Sequence, residues 1–494
     1  MKLTKDLYQA SLALLTDFYQ LTMAYGYWKN GMAERESVFH VFFRSNPFEG
    51  GYAVSCGLEN VVDYLKNYSF NPEDIDYLST LKSGAGKPLF DREFLQYLSD
   101  LNFSCDVDAM PEGTVVFPHE PILRIKGPVV QCQLLETPLL NMINFPTLIA
   151  TKSARINQSA KGEPVLEFGL RRAQGIDGGL SASRAAYIGG CTSTSNVLAG
   201  KLFGIPVTGT HAHSWIMTFE SELEAFRAYA NALPDNCIFL VDTYDSIQGI
   251  KHAIEAGNLL KETGKKMLGI RIDSGDLAYI GQQARNLLDE AGFTDADIVA
   301  SNNLDEYLVQ SLKNQDAKIT MWGIGTRLAT AYDQPALGGV YKLSAIRDSK
   351  GKWDYKIKLS EQPEKINNPG LLQVRRYFNS GYNSGKMIAD MIYDINFGVS
   401  DKNTIYHPAD YTRRKLLDES KLEFKDLLVP VFRKGILKYT LPDIHGIQKK
   451  VIKELDSLYA GIRRFENPHT YHVGLEQKLY HKKMELIFKL RHYE

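Results

Sequence analysis

The sequence predicts an α/β fold built on a barrel or incomplete barrel, with accessory structure contributed by both flanks. Two observations carry that expectation. Apolar runs of strand length recur through the middle of the chain, and segments with helical periodicity lie between them. Alternation of strand and helix at intervals of about thirty residues is the pattern of βαβ units on a parallel sheet.

The expected strands are 165–168 (VLEF), 205–208 (IPVT), 238–241 (IFLV), 268–272 (LGIRI), 297–300 (DIVA) and 319–322 (ITMW). Between them, Leu223, Phe226, Ala230 and Leu233 form one helical stripe. Leu277, Ile280, Ala284, Leu287 and Leu288 form a second, and Leu304, Leu308 and Leu312 a third. No Gly-x-Gly-x-x-Gly follows the first strand, which weighs against a dinucleotide-binding fold. The flanks differ in character. Residues 103–130 read as short strands broken by Pro-Glu-Gly and Gly-Pro, as in an antiparallel sheet, and 350–385 read similarly. A helix is expected near 449–460, followed by a basic tail, KKMELIFKLRHYE. The expected division is an N-terminal accessory domain at 1–149, a catalytic barrel at 150–345 and a C-terminal segment, 346–494, packing with the accessory domain.

Composition narrows the class. The chain has 494 residues, 44% hydrophobic and 23% charged, which excludes general disorder. Lys+Arg 57 against Asp+Glu 58 leaves a net charge of -1, so no nucleic-acid partner is expected. The long apolar stretch 134–150 is interrupted by Glu136, Pro138, Asn141, Asn144 and Pro146, too broken to span a bilayer. The opening MKLTKDLYQASLALLTDFYQ carries Asp6 and Asp17 and lacks the apolar core of a signal peptide. Five scattered cysteines without a Cys-x-x-Cys read as reduced thiols. The expectation is a soluble cytoplasmic enzyme.

In a parallel barrel, loops at the carboxyl ends of the strands build the active site. Here those ends carry Phe168-Gly169-Leu170-Arg171-Arg172, then Gly209-Thr210-His211-Ala212-His213-Ser214, then Asp242-Thr243-Tyr244-Asp245. Next come Asp273-Ser274-Gly275-Asp276 behind Arg271, then Ser301-Asn302-Asn303, and finally Gly323-Ile324-Gly325-Thr326-Arg327. Arginines, hydroxyls and glycine backbones bind phosphates, and carboxylates hold magnesium on them. A tight turn or a helix cap would explain any one of these segments alone; together they suit a phosphorylated, magnesium-bearing substrate.

His211 and His213 admit three readings. On an extended strand they would point the same way and could bind a metal, as in a metal-dependent barrel hydrolase. Only His252, in the middle of a helix, could join them within the barrel region. A structural histidine is the second reading. The third is a nucleophilic imidazole oriented by a carboxylate, with Asp242 and Asp245 as candidates.

Nine motifs resemble the nicotinate phosphoribosyltransferase family. They are LLTDFYQLTMAYGYW (14–28), FHVFFRSNPFEGGYAV (39–54), EFGLRRAQG (167–175), GTHAHSW (209–215), RIDSGDL (271–277), SNNLDE (301–306), GIGTRL (323–328), LGGVYKL (337–343) and SEQPEKINNPG (360–370). The resemblance implies a type II phosphoribosyltransferase fold, an incomplete α/β barrel with a mixed accessory domain from both chain ends. It implies transfer of phosphoribosyl from 5-phosphoribosyl 1-diphosphate to nicotinate, giving nicotinate mononucleotide and diphosphate. ATP, as co-substrate, would be coupled through a phosphohistidine, with Mg2+ as cofactor, in a homodimer with shared active sites.

Residue by residue, the resemblance makes His213 the phosphorylated residue; Asp242, a candidate from its place after the third strand, would assist it. Phe168 would stack on the pyridine ring beside Arg171, Thr210 would touch nicotinate, and Arg271 would meet its carboxylate. Tyr19 would cover the other ring face from a neighbouring subunit; a core aromatic beside Leu15, Phe18 and Met23 is the alternative. Arg44, Asp273, Ser301, Gly325 and Thr326 would hold phosphoribosyl diphosphate, Gly325 and Thr326 at its 5-phosphate. Asp242 and Asp273 would carry magnesium, directly or through water. The glycine- and threonine-rich phosphate loop of type I enzymes is missing after VDTYDS (241–246). The competing activities are a nicotinamide-specific relative on the same fold, the His211/His213 hydrolase, and a barrel that binds phosphate ligands without turnover.

Overall fold

The computed structural model describes residues 11–381, 384–400, 404–418 and 421–492. Parts of the opening segment, of 350–385 and of the basic tail read above therefore lie outside the described residues. The chain divides into two compact units, one of 148–335 with 444–451, the other of 1–147, 336–443 and 452–494.

The unit of 148–335 is built on six strands: β1 (Val165–Glu167), β2 (Ser193–Thr194), β3 (Ile238–Leu240), β4 (Gly269–Ile272), β5 (Asp297–Ala300) and β6 (Met321–Ile324). Their order is β2-β1-β6-β5-β4-β3, and every pairing is parallel. The sheet is open, ending at β2 and β3. Its strands are short and apolar, with Val165, Phe239, Ile270, Ile298 and Trp322 at most 1% exposed, as expected of strands covered on both faces. Helices Glu222–Ala232, Leu277–Glu290 and Glu306–Asn314 coincide with the three apolar stripes.

One expected strand is corrected. Residues 205–208 form no strand; Val207 makes a single bridge to Thr194, and β2 takes the place beside β1 instead. Pro206 supplies no backbone donor, which disfavours a ladder there.

The other unit draws strands from both flanks. A seven-stranded antiparallel sheet runs through Trp353–Tyr355, Val340–Arg347, Glu36–Phe42, Leu123–Pro128, Asp106–Ala109, Val429–Arg433 and Ile436–Leu437. A six-stranded sheet contains Leu372–Asn379 and Met387–Asp394, with Val473–Leu475 as its parallel member. The helix Ile444–Asp456, whose residues 444–451 count with the first unit, overlaps the one expected near 449–460, and a second helix, Gln477–Arg491, runs into the basic tail. Cys56, Cys105, Cys132, Cys191 and Cys237 are buried thiols outside any disulfide. Among the described residues no helix is long and apolar enough to cross a membrane.

Candidate active site

The carboxyl ends of β1, β2, β4, β5 and β6, with the segment 209–212, line one cavity of about 270 Å³ formed within the 148–335 unit; Asp242, Thr243 and His213 are not among its lining residues. Phe168, Arg171, Thr210, Arg271, Asp273, Ser301, Gly325 and Thr326 all line it. So do Arg172, Asn302 and Asn303 of the strand-end segments expected to build the site, and Ser195, which no expectation named. Asn302 and Asn303 hold φ of 90° and 43°. Two consecutive left-handed residues in a cavity wall mark a constrained backbone, and asparagine tolerates that region best among residues with a side chain. Ser195 follows β2, whose polar Ser-Thr pair has no apolar signature to mark a strand end there.

The floor is set by close backbone approach. A Cβ on Gly323 would fall 2.8 Å from the Phe168 ring, so only glycine lets that ring lie across β6. Phe168 N–H donates to Ile324 O at 2.8 Å, continuing the β1–β6 ladder into the loop. Arg271 projects from β4, and its Nη1 donates to Thr210 Oγ1 at 2.5 Å. Burial lowers the Arg271 pKa, opposed by Asp273 and Asp242. Its Nε is buried and without a partner among the described residues. A guanidinium with a free donor and a hydroxyl beside it offers N–H groups that a small carboxylate can accept from.

His213 opens the helix His213–Met217 and does not lie on a strand. The two histidines therefore do not point the same way. His211 is 7% exposed among Phe226, Tyr229 and Phe239, and its Nε2 accepts from Leu240 N–H at 3.3 Å. Burial, with Arg271 nearby, pushes its pKa down to about 4. The lone pair that a metal would need is spent, which removes the basis of the hydrolase reading. Among the described residues no group of three or more His, Cys, Asp or Glu is arranged to hold a metal ion.

The expected orientation of His213 by Asp242 is also corrected. His213 Nδ1 lies 3.1 Å from Thr243 Oγ1, and Nε2 stands 4.0 Å from Asp273 Oδ2. Asp242 instead accepts from Asp273 N–H at 3.0 Å and Ser274 O–H at 2.5 Å, bracing the loop after β4. Asp245 caps the helix Ser246–Glu262 through Gln248 N–H. Ser301 donates to Asp273 Oδ1. Magnesium typically takes one or two carboxylates and completes its shell with water and phosphate oxygens. Asp273 in the cavity wall, with the buried and unpartnered Asp242 Oδ1 behind it, fits that requirement.

Tyr19 and Arg44 belong to the other unit. Tyr19 is 48% exposed on the helix Phe18–Lys29, and Leu15, Phe18 and Met23 are exposed as well, so it is no core aromatic. Arg44 borders a second cavity of about 270 Å³, with Asn46, His119 and His407. Its Nε is buried without a partner among the described residues.

Comparison with known proteins decides the lineage. Residues 165–378 match the nicotinate phosphoribosyltransferase family, 14–144 its N-terminal domain and 373–483 its C-terminal domain. The nicotinate phosphoribosyltransferase of Bacillus subtilis is 44% identical, over 97% of this chain and 96% of that protein. The chain belongs to the nicotinate phosphoribosyltransferase family. The crystal structure of the human nicotinic acid phosphoribosyltransferase superposes with a TM-score of 0.83 at 31% identity, covering 95% of this chain and 99% of that one. The nicotinate-nucleotide pyrophosphorylase of Pyrococcus furiosus shares the fold, with a TM-score of 0.67 at 23% identity over 90% of this chain and 96% of that one.

Proposed function

We propose that this protein transfers phosphoribosyl from 5-phosphoribosyl 1-diphosphate to nicotinate in NAD biosynthesis, with ATP hydrolysis coupled through phosphorylation of His213. The observation that carries the reading is the pairing of Arg271 with Thr210 beside the Phe168 ring in one cavity. The ring lies on Phe168, and its carboxylate takes the free donors of Arg271. That ion pair favours the acid over the amide, because nicotinamide leaves a buried guanidinium uncompensated.

Loss of diphosphate from the sugar builds positive charge at C1 and negative charge on the leaving group. The turn Gly325-Thr326, at the start of the helix Thr326–Ala329, holds the 5-phosphate through backbone N–H groups and the hydroxyl. Asp273 and Ser301 hold the ribose side. Magnesium, when bound at Asp273, neutralises charge on the leaving diphosphate. With ring and ribose both fixed, the pyridine nitrogen meets C1 at high effective concentration. Phosphorylation of His213, whose Nε2 stands 4.0 Å from Asp273 Oδ2, adds negative charge near that carboxylate, which alters affinity for the charged substrate and products.

We read the six-stranded parallel sheet as an incomplete barrel, and the working protein as a cytoplasmic homodimer in which Tyr19 and Arg44 complete the partner's site. The domain division expected from sequence, at 149 and 345, remains part of this reading. Product analysis tests the activity. Incubation with 5-phosphoribosyl 1-diphosphate and nicotinate should give nicotinate mononucleotide, faster with ATP and magnesium. Preferential turnover of nicotinamide, or none, would refute it.

A further inference from the structure

We propose that Glu167 is the positioning residue that sets the nicotinate platform against the phosphate-binding turn. It stands at the end of β1 and is 1% exposed, yet makes no ion pair among the described residues. A buried acidic side chain without a counter-charge is costly, so its hydrogen bonds must be specific. Oε1 accepts from Gly169 N–H. Oε2 accepts from Thr194 Oγ1 at 2.6 Å and Ser183 Oγ at 2.9 Å.

These contacts join two walls of the cavity. On one side, Gly169 follows Phe168 and precedes Arg171. A Cβ on Gly169 would fall 2.3 Å from Ala329 Cβ and 3.0 Å from Gly325 O, so this backbone packs directly on the turn Gly325-Thr326. On the other side, Ser195 N–H donates to Glu167 O at 2.9 Å, and Thr194 Oγ1 also accepts from Asn196 N–H at 3.0 Å. Glu167 thus holds the ring loop 168–172 by one oxygen and the 194–196 wall by the other. Glutamine has the same shape but only one acceptor atom, so it cannot serve Gly169 N–H and the Thr194 hydroxyl in the same way. Freed from its anchor, the loop shifts against Gly325, and the ring nitrogen loses alignment with the sugar carbon. Small misplacements of this kind cost rate out of proportion to stability.

The inference rests on the reading of Phe168 as the nicotinate platform. Wild-type product formation tests that reading, and the ratio of variant to wild type tests Glu167. In Glu167→Gln, kcat should fall about tenfold and KM for nicotinate rise about tenfold, with KM for 5-phosphoribosyl 1-diphosphate within about twofold. A purely structural role would lower the melting temperature and leave the constants of the folded enzyme unchanged. Should Glu167→Gln not fold, the Thr194 pair decides. Thr194→Val should show the same split at about threefold, and Thr194→Ser should restore wild-type values. Constants within twofold of wild type in folded Glu167→Gln, or in folded Thr194→Val where that pair decides, would overturn the proposal. So would equal changes in both Michaelis constants.

Discussion

His213 Nδ1 lies 3.1 Å from the Thr243 hydroxyl, while the carboxylate of Asp242 turns away to hold the backbone of Asp273. A hydroxyl can either donate to an imidazole nitrogen or accept from it, so it serves the ring whichever nitrogen carries the proton. It also leaves Asp242 free to brace the loop that presents Asp273 beside the opposite edge of the ring. Orientation of the histidine and placement of the acid are divided between neighbouring residues.

His213→Ala should therefore lose ATP stimulation while retaining slow, ATP-independent transfer, because bond formation needs only ring and sugar held together. Label from the γ-phosphate of ATP should appear on the wild type in acid-labile form and be absent from the variant. Label persisting in His213→Ala would place the phosphoryl group elsewhere. Thr243→Val should cut the stimulation about fivefold, as expected for a net hydrogen bond of about 1 kcal/mol, and Thr243→Ser should keep it.

Arg271→Ala should weaken nicotinate far more than nicotinamide, since only the acid loses an ion pair. A hydrogen bond to a charged group is typically ~1.5–3 kcal/mol, roughly ten- to a hundredfold in kcat/KM. Parallel measurements with the two ligands check this. Equal losses would assign Arg271 to the phosphates.

The strands were legible where composition alone forces burial. The run IFLV has no polar position to leave exposed and DIVA has one, the half-buried Asp297 at its start, and β3 and β5 form there. The run IPVT looked the same but carries Pro206, while β2 is the polar pair Ser193-Thr194, which has no apolar signature. Most of the cavity-lining residues were legible because they follow strands of the parallel sheet, whereas Thr210 lies after the run 205–208, which forms no strand. What local sequence does not contain is direction. The alternation in His-Ala-His suggests one shared face, but the cage of Phe226, Tyr229 and Phe239 draws His211 inward as a helix begins at His213. Asp242 and Thr243 are adjacent in the chain, and only the position of the loop after β4 determines which of them faces the imidazole.

His211 also predicts an acid response. Its folded pKa of about 4 lies below the ~6.5 of an unfolded histidine, so the unfolded chain binds more protons between those values. The contribution to stability is full above pH ~6.5 and falls as pH drops toward 4, by on the order of 3 kcal/mol. His211→Gln, whose amide oxygen can still accept from Leu240 N–H, should flatten this dependence by about one proton. Urea midpoints between pH 7 and pH 4.5 measure it. Parallel profiles for the two proteins would mean that His211 is protonated without cost.

The proposal of a shared active site makes the sharpest prediction. Tyr19 is exposed with Leu12, Leu15, Phe18 and Met23, an apolar surface that a monomer would leave in water. It belongs to a different unit from the cavity whose ring-binding face it is proposed to close. If the site is completed in trans, Tyr19→Ala and His213→Ala damage opposite halves of it. Mixing the two chains should then rebuild some intact sites. In an isologous dimer, random exchange gives heterodimers with one site carrying both lesions and one carrying neither, about a quarter of all sites. ATP-coupled activity should rise from near zero toward that fraction after exchange, tracked with differently tagged chains. If exchange is verified, both parents are folded and no activity returns, Tyr19 acts within its own chain, and the shared-site reading fails while the assignment of His213 stands on its own label.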